Sequence, residues 1–337
     1  MQENGASPRL MNVVLGPESA AHRHAPRPRH HQPSGEPASG DLAPGFQPRP
    51  SWNLTDFGGP TIADLTFVNR YVGGVAAWAD QDVTNIDHAL SSAMSDAALE
   101  TVMAQYYPSG AITSSMLPSA MVEGDVPPTV YKDTAEALAK QLHDGGALGG
   151  ADPAKSVINI MLPQGIILSD DFSPGFQPPA GQEETTTRRK RSVLKIDEHD
   201  AADSKHGLGG YHGSIHLDDG TEVFYAVGVY SDADNGIVAF DQPWKNVVAT
   251  FYHELNEART DAAVEDVNAT GNDGLLGWYS RTGQGEIGDL PINASGGDLS
   301  LVFQEVPLSD GSGTVPIQLM WSNSDDGPAS HTGAARA

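Results

Sequence analysis

The segment 244–263 predicts a buried helix that also carries charged side chains. Its start is apolar, since Val247, Val248 and Phe251 recur at helical spacing. Its middle reads His-Glu-Leu-Asn-Glu at 253–257. A carboxylate buried in a protein core is unfavourable unless it is paired or bound to a metal ion. The fold must therefore supply this helix with either counter-ions or a cation.

The spacing of the charged residues favours the cation. On a helix, His253 and Glu257 project from one face, one turn apart, so an imidazole and a carboxylate can hold one divalent ion. Glu254 is then placed to reach a metal-bound water from the side. In the related His-Glu-x-x-His helix both histidines bind zinc and the glutamate is the general base. Here a glutamate replaces the second histidine, which zinc accepts and which also suits manganese, iron or calcium.

Further acidic residues extend this candidate site. Asp261, one turn beyond the motif, continues the acidic face and is an additional candidate ligand. The Glu-Ile-Gly-Asp sequence at 286–289 lies in a predicted turn and offers Glu286 or Asp289 as a third ligand. The competing interpretation is a structural salt-bridge network in which Arg259 is the counter-ion of the acids.

A second candidate region is the Gly-Gly-Tyr-His-Gly sequence at 209–213. Glycines on both sides of the Tyr-His pair permit close approach of the backbone to a ligand. We predict that His212 lines the site and that Tyr211 donates a hydrogen bond to an oxyanion, with packing as the alternative role of Tyr211. His216 is a weaker candidate, which would share the strand face of His212 because side chains alternate along a strand.

Together these stretches resemble a group of uncharacterised bacterial proteins. The shared pattern is His-Glu-x-x-Glu-x-x-Thr-Asp, then Gly-Trp, then Glu-Ile-Gly-Asp, and it spans residues 206–291 here. The Tyr-His-Gly ahead of the helix is more distantly similar to the plant phosphate-induced, EXORDIUM-like proteins. The resemblance implies a zincin-like site. The chain departs from the pattern at Ala262, where proline is usual, and lacks the cysteines common in the plant relatives.

These residues predict a metal-dependent hydrolase, a zinc peptidase or amidase acting on a peptide or small amide. Zinc, or another divalent cation, would be held by His253, Glu257 and one of Glu286 or Asp289, with Glu254 as the general base. The alternative is a non-catalytic surface or signalling protein with a structural zinc or calcium site.

The remaining sequence predicts an α+β fold in which N-terminal helices accompany a small mixed sheet and the metal-site helix. A run of helices, a strand, a hairpin, a helix and short strands favours this class over a doubly wound sheet. The predicted helices cover 61–78, 84–107, 129–143 and 244–263, and the predicted strands cover 156–163, the Asp-Gly hairpin 213–230, 299–306 and 315–321.

Composition divides the chain into five regions. The predicted regions are a disordered leader at 1–50, a helical part of the core at 51–168, an exposed loop or linker at 169–205, the metal-site region at 206–325 and a disordered tail at 326–337. The linker contains the basic run Arg188–Arg191, which is either a solvated charge run or a processing site.

Charge and cysteine content exclude several classes of protein. The net charge of -25 disfavours nucleic acid and anionic membrane surfaces as partners. The lack of cysteine excludes disulfides, thiolate zinc sites and cysteine nucleophiles. No run approaches the length of a transmembrane helix, and the first residues lack a secretory signal. We expect the protein to be cytoplasmic by default, and secreted if the start site is mis-assigned. The sequence does not predict the oligomeric state.

Overall fold

A six-stranded mixed sheet lies at the centre of the computed structural model, which describes residues 13–15, 42–177, 202–264, 266–267, 273–282 and 285–329. The strands are β1 Val13–Leu15, β2 Leu54–Asp56, β3 Asp64–Val72, β4 Thr113–Val122, β5 Thr129–Val130, β6 Ser156–Leu162, β7 Ile167–Leu168, β8 Leu208–His216, β9 Glu222–Val229, β10 Trp278–Ser280, β11 Phe303–Pro307, β12 Thr314–Gln318, β13 Trp321–Ser322 and β14 Gly327–Pro328. The helices are α1 Asp80–Met94, α2 Ala97–Ala104, α3 Lys132–Asp144, α4 Pro243–Thr260 and α5 Asp289–Ser295.

The large sheet has the strand order β1-β8-β9-β6-β3-β4. Strands β4, β3, β6 and β9 run parallel to their neighbours, whereas β8 is antiparallel to β9 and β1 is antiparallel to β8. Every residue of β6 is buried, as expected for a central parallel strand that is covered on both faces.

Helices cover both faces of this sheet. On one face α1 and α4 pack together over side chains that include Phe67 and Tyr71 of β3. On the other face α3 packs over Val68, Ile158 and Ile160. Since successive residues of a strand point to opposite faces, β3, β6 and β9 each contribute to both apolar clusters. The position of a residue along β8 therefore decides whether it faces α4 or α3.

The predicted α+β class is confirmed, whereas its zincin-like character stays a prediction. The helix predicted at 84–107 is present as the consecutive helices α1 and α2, and those predicted at 129–143 and 244–263 are α3 and α4. The Asp-Gly hairpin is formed by β8 and β9. The strands predicted at 156–163, 299–306 and 315–321 correspond to β6, β11 and β12.

The helix predicted at 61–78 is wrong, because these residues contain β3. Strand β3 buries Leu65 and Phe67 against one layer and Val68 against the other. Burial on both faces removes the alternation typical of a half-exposed strand, and the remaining apolar spacing resembles a helix. Strand β4, which pairs with β3 alone, was not predicted.

Several predicted regions fall partly outside the described residues. Of the predicted leader at 1–50, the structure describes 13–15, which form β1, and 42–50, where Phe46 is buried in the core. The basic run Arg188–Arg191 and the end of the chain after 329 lie outside the described residues.

Candidate metal centre

Helix α4 supplies the centre of the candidate site and is buried along most of its length. Every residue from Asn246 to Thr260 is buried, including His253, Glu254 and Glu257, which are 0% exposed. The helix is enclosed because β8 and β9 lie under it while α1 and β12 pack against its other sides. Two carboxylates are therefore held away from water, which is unfavourable unless charge or protons compensate.

Four further charged or polar side chains reach α4 from other parts of the fold. His212 lies on β8, Asp261 follows α4 directly, Glu286 lies just before α5 and Asp289 is the first residue of α5. None of the four is more than 5% exposed. We use the name buried cluster for the seven residues His212, His253, Glu254, Glu257, Asp261, Glu286 and Asp289.

The ring of His253 is held between a carboxylate and an amide. Its Nε2 lies 3.0 Å from Oε2 of Glu257, and its Nδ1 lies 2.9 Å from Oε1 of Gln318. The amide nitrogen of Gln318 donates to the carbonyl oxygen of Gly288 at 2.6 Å, so its oxygen must accept from His253. The hydrogen-bond network thus assigns the proton to Nδ1 and turns Nε2 toward Glu257, the arrangement found around metal-bound histidines.

Glu257 is oriented by the backbone that begins α5. Its Oε1 accepts hydrogen bonds from the N–H groups of Gly288 and Asp289, both at 3.2 Å. Its Oε2 faces the other way, toward His253 and toward Nδ1 of His212, which is 3.8 Å away. One carboxylate oxygen is therefore fixed by the protein and the other faces two imidazoles.

His212 joins the cluster from the sheet side. Its Nδ1 lies 3.6 Å from Oε2 of Glu254, and its Nε2 lies 3.3 Å from the carbonyl oxygen of Asp261 and 3.8 Å from Oε1 of Glu286. A carbonyl only accepts hydrogen bonds, so the Nε2 position is the donor and Nδ1 faces Glu254 and Glu257. The prediction that His212 lines the same region as the α4 motif agrees with this placement.

Glycines allow these groups to approach one another. A side chain at Gly210 would place its Cβ 2.7 Å from the carbonyl oxygen of Val227 and 3.0 Å from Cγ2 of Thr250 on α4. A Cβ at Gly288 would lie 2.4 Å from Nδ1 of His253. The glycines of the Gly-Gly-Tyr-His and Glu-Ile-Gly-Asp sequences are therefore explained by close approach to α4.

The Gly-Trp sequence has a similar explanation. The N–H of Gly277 donates to Oδ1 of Asp261 at 2.8 Å and fixes that carboxylate at the end of α4. A Cβ at this position would lie 2.1 Å from the carbonyl oxygen of Thr260, so the backbone contact requires glycine.

Several buried atoms of the cluster have no hydrogen-bond partner within the described part of the chain. They are Oδ2 of Asp261 and both carboxylate oxygens of Glu286. Nε2 of His253 and Oε2 of Glu257 lie 3.0 Å apart, but no proton lies between them when the ring proton is on Nδ1. A buried polar atom left without a partner costs about 1–3 kcal/mol, and more if it is charged. Protons or cations must therefore enter the cluster if the fold is to be stable.

The electrostatics agree with this requirement. Burial, with Glu257 adding to it, raises the pKa of Asp261 to about 8 although the Gly277 N–H opposes the shift. Burial and the neighbouring carboxylates, Glu257 first, raise the pKa values of Glu286 and Asp289 well above the usual range. Burial alone would lower the pKa of His253, but Glu257 and Asp289 outweigh it and the pKa is raised.

Two sets of ligand atoms in the cluster are close enough to hold a metal ion. One set is His253, Glu257 and Asp289, and the other is His212, Glu254 and Glu257. Within each set the ligand atoms lie within 4.8 Å of one another. Zinc binds imidazole nitrogen and carboxylate oxygen at about 2.0–2.2 Å in tetrahedral geometry, so two ligand atoms of one ion are about 3.3–3.6 Å apart. The side chains of each set must therefore move together by up to about 1.5 Å to close on a zinc ion.

A third set lies at the surface and has a simpler explanation. His216, at the end of β8, lies 2.7 Å from Oδ1 of Asp266 and 3.9 Å from Oε1 of Glu222. The His216 side chain is 53% exposed, so these side chains form an ordinary hydrogen-bonded group at the surface.

Two predicted roles are corrected by the structure. Tyr211 packs against Tyr225 on the α3 side of the sheet, the face opposite α4, so packing and not the oxyanion role is the placement that the structure gives it. Arg259 is not the counter-ion of the acids, since its guanidinium donates to the carbonyl oxygens of Ala63 and Thr113. Two positions beyond Glu257 on a helix, Arg259 faces a different side of α4.

Gln318 is the functional residue that sequence reasoning missed. It lies on β12, and the sequence predicts the strand but gives no sign of its contact with His253. An uncharged amide in a short strand carries no motif, so only the packing of β12 against α4 shows its role.

Comparison of the chain with protein-family models, curated proteins and solved structures found no match in any of the three. The resemblance to the bacterial and EXORDIUM-like proteins therefore stays a prediction.

Proposed function

We propose that this chain is a metal-dependent hydrolase, with zinc as the first candidate cation and a peptide or small amide as the substrate. The observation that carries the proposal is the buried pair of His253 Nε2 and Glu257 Oε2, 3.0 Å apart. Both groups are oriented by further hydrogen bonds, His253 by Gln318 and Glu257 by the backbone of Gly288. Such outer partners are what a metal-binding histidine and carboxylate require.

Three protein ligands are the usual number at a catalytic zinc site. Asp289 supplies the third beside His253 and Glu257. A bound divalent cation lowers the pKa of a coordinated water and polarises a carbonyl. The ligand types of this set, one imidazole and two carboxylates, also suit manganese or iron.

Glu254 is the proposed general base. It follows His253 on α4, is 0% exposed, and its Oε2 lies 3.6 Å from Nδ1 of His212. His212 thereby positions the carboxylate on the side of the cluster that faces β8. Glu254 accepts the proton of the attacking water and passes it to the leaving nitrogen.

Burial favours a second candidate function, a non-catalytic protein that is stabilised by a structural cation. No residue of the buried cluster is more than 5% exposed, whereas a substrate must reach a catalytic cation. Structural zinc sites are closed in this way. In this second case removal of the cation lowers stability, and there is no hydrolytic activity to lose.

Partners follow from charge and composition. No helix in the described part of the chain is long and apolar enough to cross a membrane. The net charge of -25 supports the further proposal that nucleic acid is not a partner.

The first test is the metal content of the purified chain by elemental mass spectrometry. We expect bound metal in the wild type and in Tyr211→Phe, which alters a buried side chain beside His212 but on the other face of the sheet. We expect none in Glu257→Ala, with folding checked by circular dichroism. A folded wild-type chain that takes up no zinc, manganese, iron or calcium would refute the proposal.

A second test separates the two candidate functions. In a screen of peptide and amide substrates, Glu254→Gln should abolish turnover while the cation at His253 stays bound. Full activity in Glu254→Gln contradicts the general-base role. Bound metal without turnover of any substrate by the wild type supports the structural alternative.

A further inference from the structure

We infer that the buried cluster holds two divalent cations, the second bound by His212, Glu254 and Glu257, with Glu257 shared between them. The first cation is the one in the proposed function, on which this inference rests. The two cations would then form a pair, with the carboxylate of Glu257 as their shared ligand.

The ligand sets point to this arrangement because they overlap at one residue. His253 and Asp289 belong to one set, His212 and Glu254 belong to the other, and Glu257 belongs to both. The same oxygen of Glu257, Oε2, lies 3.0 Å from Nε2 of His253 and 3.8 Å from Nδ1 of His212. A carboxylate between two imidazoles on different elements is placed to bridge two ions.

Both imidazoles are oriented in the way that metal-bound histidines are. Nδ1 of His253 is hydrogen-bonded to the amide oxygen of Gln318. Nε2 of His212 lies 3.3 Å from the carbonyl oxygen of Asp261. In each ring the other nitrogen faces Glu257. A backbone or side-chain oxygen on the far nitrogen fixes the tautomer and turns the lone pair of the near nitrogen toward the metal.

Buried polar atoms give a second indication. Nε2 of His253 and Oε2 of Glu257, both in fully buried residues, lie 3.0 Å apart, and with the ring proton on Nδ1 neither atom can donate to the other. Both oxygens of the fully buried Glu286 have no hydrogen-bond partner among the described residues. These atoms need protons or cations as partners.

The charge of the cluster can accommodate two cations. In the described part of the chain, Glu257, Asp261, Glu286 and Asp289 form no ion pair with lysine or arginine. With Glu254 the cluster contains five carboxylates. When all five are ionised, two divalent cations nearly neutralise them, whereas one cation does so only if three carboxylates keep their protons.

The second cation is compatible with the proposed role of Glu254. A carboxylate has two oxygens, so one oxygen of Glu254 can bind the cation while the other accepts a proton. Two cations about 3.5–4 Å apart are also a known arrangement for hydrolysis, since they stabilise both the attacking and the leaving atoms.

The test is the zinc stoichiometry of the full chain, stripped with a chelator and reloaded with Zn²⁺ alone, measured by elemental mass spectrometry. The wild type should bind two zinc ions per folded chain. His212→Gln and His253→Gln should each bind one, and Glu257→Gln should bind neither tightly. His216→Gln and Tyr211→Phe are the controls and should bind two, because they alter the exposed set and the opposite face of the sheet.

The outcomes distinguish this inference from the proposed function. One zinc in the wild type, lost in both His212→Gln and His253→Gln, overturns the second site and leaves the proposed function standing. Two zinc ions retained in His212→Gln also overturn it. No zinc in the wild type overturns this inference, and the proposed function falls with it only if manganese, iron and calcium also fail to bind.

A second measurement does not depend on the variants folding. The wild-type chain loaded with Mn²⁺ alone should give the electron paramagnetic resonance spectrum of two coupled ions, since they share a carboxylate. The spectrum of isolated Mn²⁺ at full loading would contradict a shared ligand.

Discussion

Gln318 determines which nitrogen of His253 faces Glu257. Its amide oxygen lies 2.9 Å from Nδ1 of His253, and its amide nitrogen donates to Gly288. A leucine at this position has a similar size but accepts no hydrogen bond, so the ring loses its fixed orientation. Gln318→Leu should therefore weaken zinc binding about 10–100-fold, the usual effect of losing such a partner.

This prediction is checked by competition with a chelator of known zinc affinity. Gln304→Leu is the matched control, because Gln304 lies on the neighbouring β11 and donates only to the carbonyl of Leu301. Equal zinc affinity in Gln318→Leu and the wild type would show that His253 is not a ligand held by this amide.

Gly288 is the residue at which the cluster tolerates no side chain. An added Cβ would lie 2.4 Å from Nδ1 and 2.6 Å from Cε1 of His253, well inside van der Waals contact. The ring is 0% exposed and already lies between Gln318 and Glu257, so the added Cβ must displace it from Gln318. Gly288→Ala should lose zinc. Gly296→Ala, after α5, meets no neighbouring atom and strains only its own backbone at a φ of 64°, so it should retain zinc; retention in both contradicts this packing.

At the residue scale the sequence predicted the members of the cluster better than their partners. Histidine and carboxylates at helical spacing indicate a metal site because few other arrangements satisfy buried charge. His212 was predicted from the glycines beside it. Tyr211 was predicted to line the same site, but adjacent residues of a strand face opposite sides of the sheet. Gln318 required the packing of β12, which no local pattern specifies.

Among the elements, α4 was predicted well because its apolar spacing is long and continuous. The helix predicted at 61–78 was wrong, because the segment contains β3, a shorter element that is buried on both faces. Periodicity cannot separate a fully buried strand from a helix over so few residues. The parallel pairing of β3 with β4 and β6 depends on contacts between distant residues, so it could not be predicted from local sequence.

Asp96 joins the start of α2 to the turn between β11 and β12. It caps α2 through the N–H groups of Ala98 and Leu99, and its other oxygen accepts from the N–H and hydroxyl of Ser309. Asp96→Ala should lower the free energy of unfolding by about 1–3 kcal/mol, as expected for a lost cap and lost buried hydrogen bonds. Urea denaturation at neutral pH measures this, with Asp298→Ala, an exposed cap, as the milder control.

The contribution of Asp96 should also depend on pH. Burial alone would raise its pKa, but the hydrogen bonds from Ser309 and the helix N–H groups outweigh burial and lower it. A lowered folded pKa gives stability that is present above the unfolded value near 4 and is lost as the pH falls through the folded value. The difference between wild type and Asp96→Ala should therefore shrink below about pH 4; a difference that grows there would contradict this role.

For the whole molecule, the buried cluster links metal binding to stability. Without a cation, the raised pKa of Asp261, about 8, means that the folded chain holds a proton that the unfolded chain releases near pH 4. Glu286 and Asp289 shift in the same direction. The contribution of these three groups to the stability of the metal-free chain is therefore fully present below about pH 4 and is lost as the pH rises toward 8.

Zinc should reverse this trend, because metal ligands must be deprotonated and binding becomes stronger as the pH rises. Thermal melting with a chelator and with excess zinc, compared between about pH 5 and pH 8, measures the effect. We expect the gap in melting temperature to widen with pH. A gap that stays constant or narrows as the pH rises would show that zinc does not replace protons in the cluster.

The central claim is that a cation binds inside the fold, on α4. An anomalous difference map from a crystal of the chain grown with zinc, recorded at the zinc absorption edge, tests it directly. We predict a peak about 2.0–2.2 Å from both Nε2 of His253 and Oε2 of Glu257. Density only at the exposed set of His216, Glu222 and Asp266, or no peak at α4, would contradict the account.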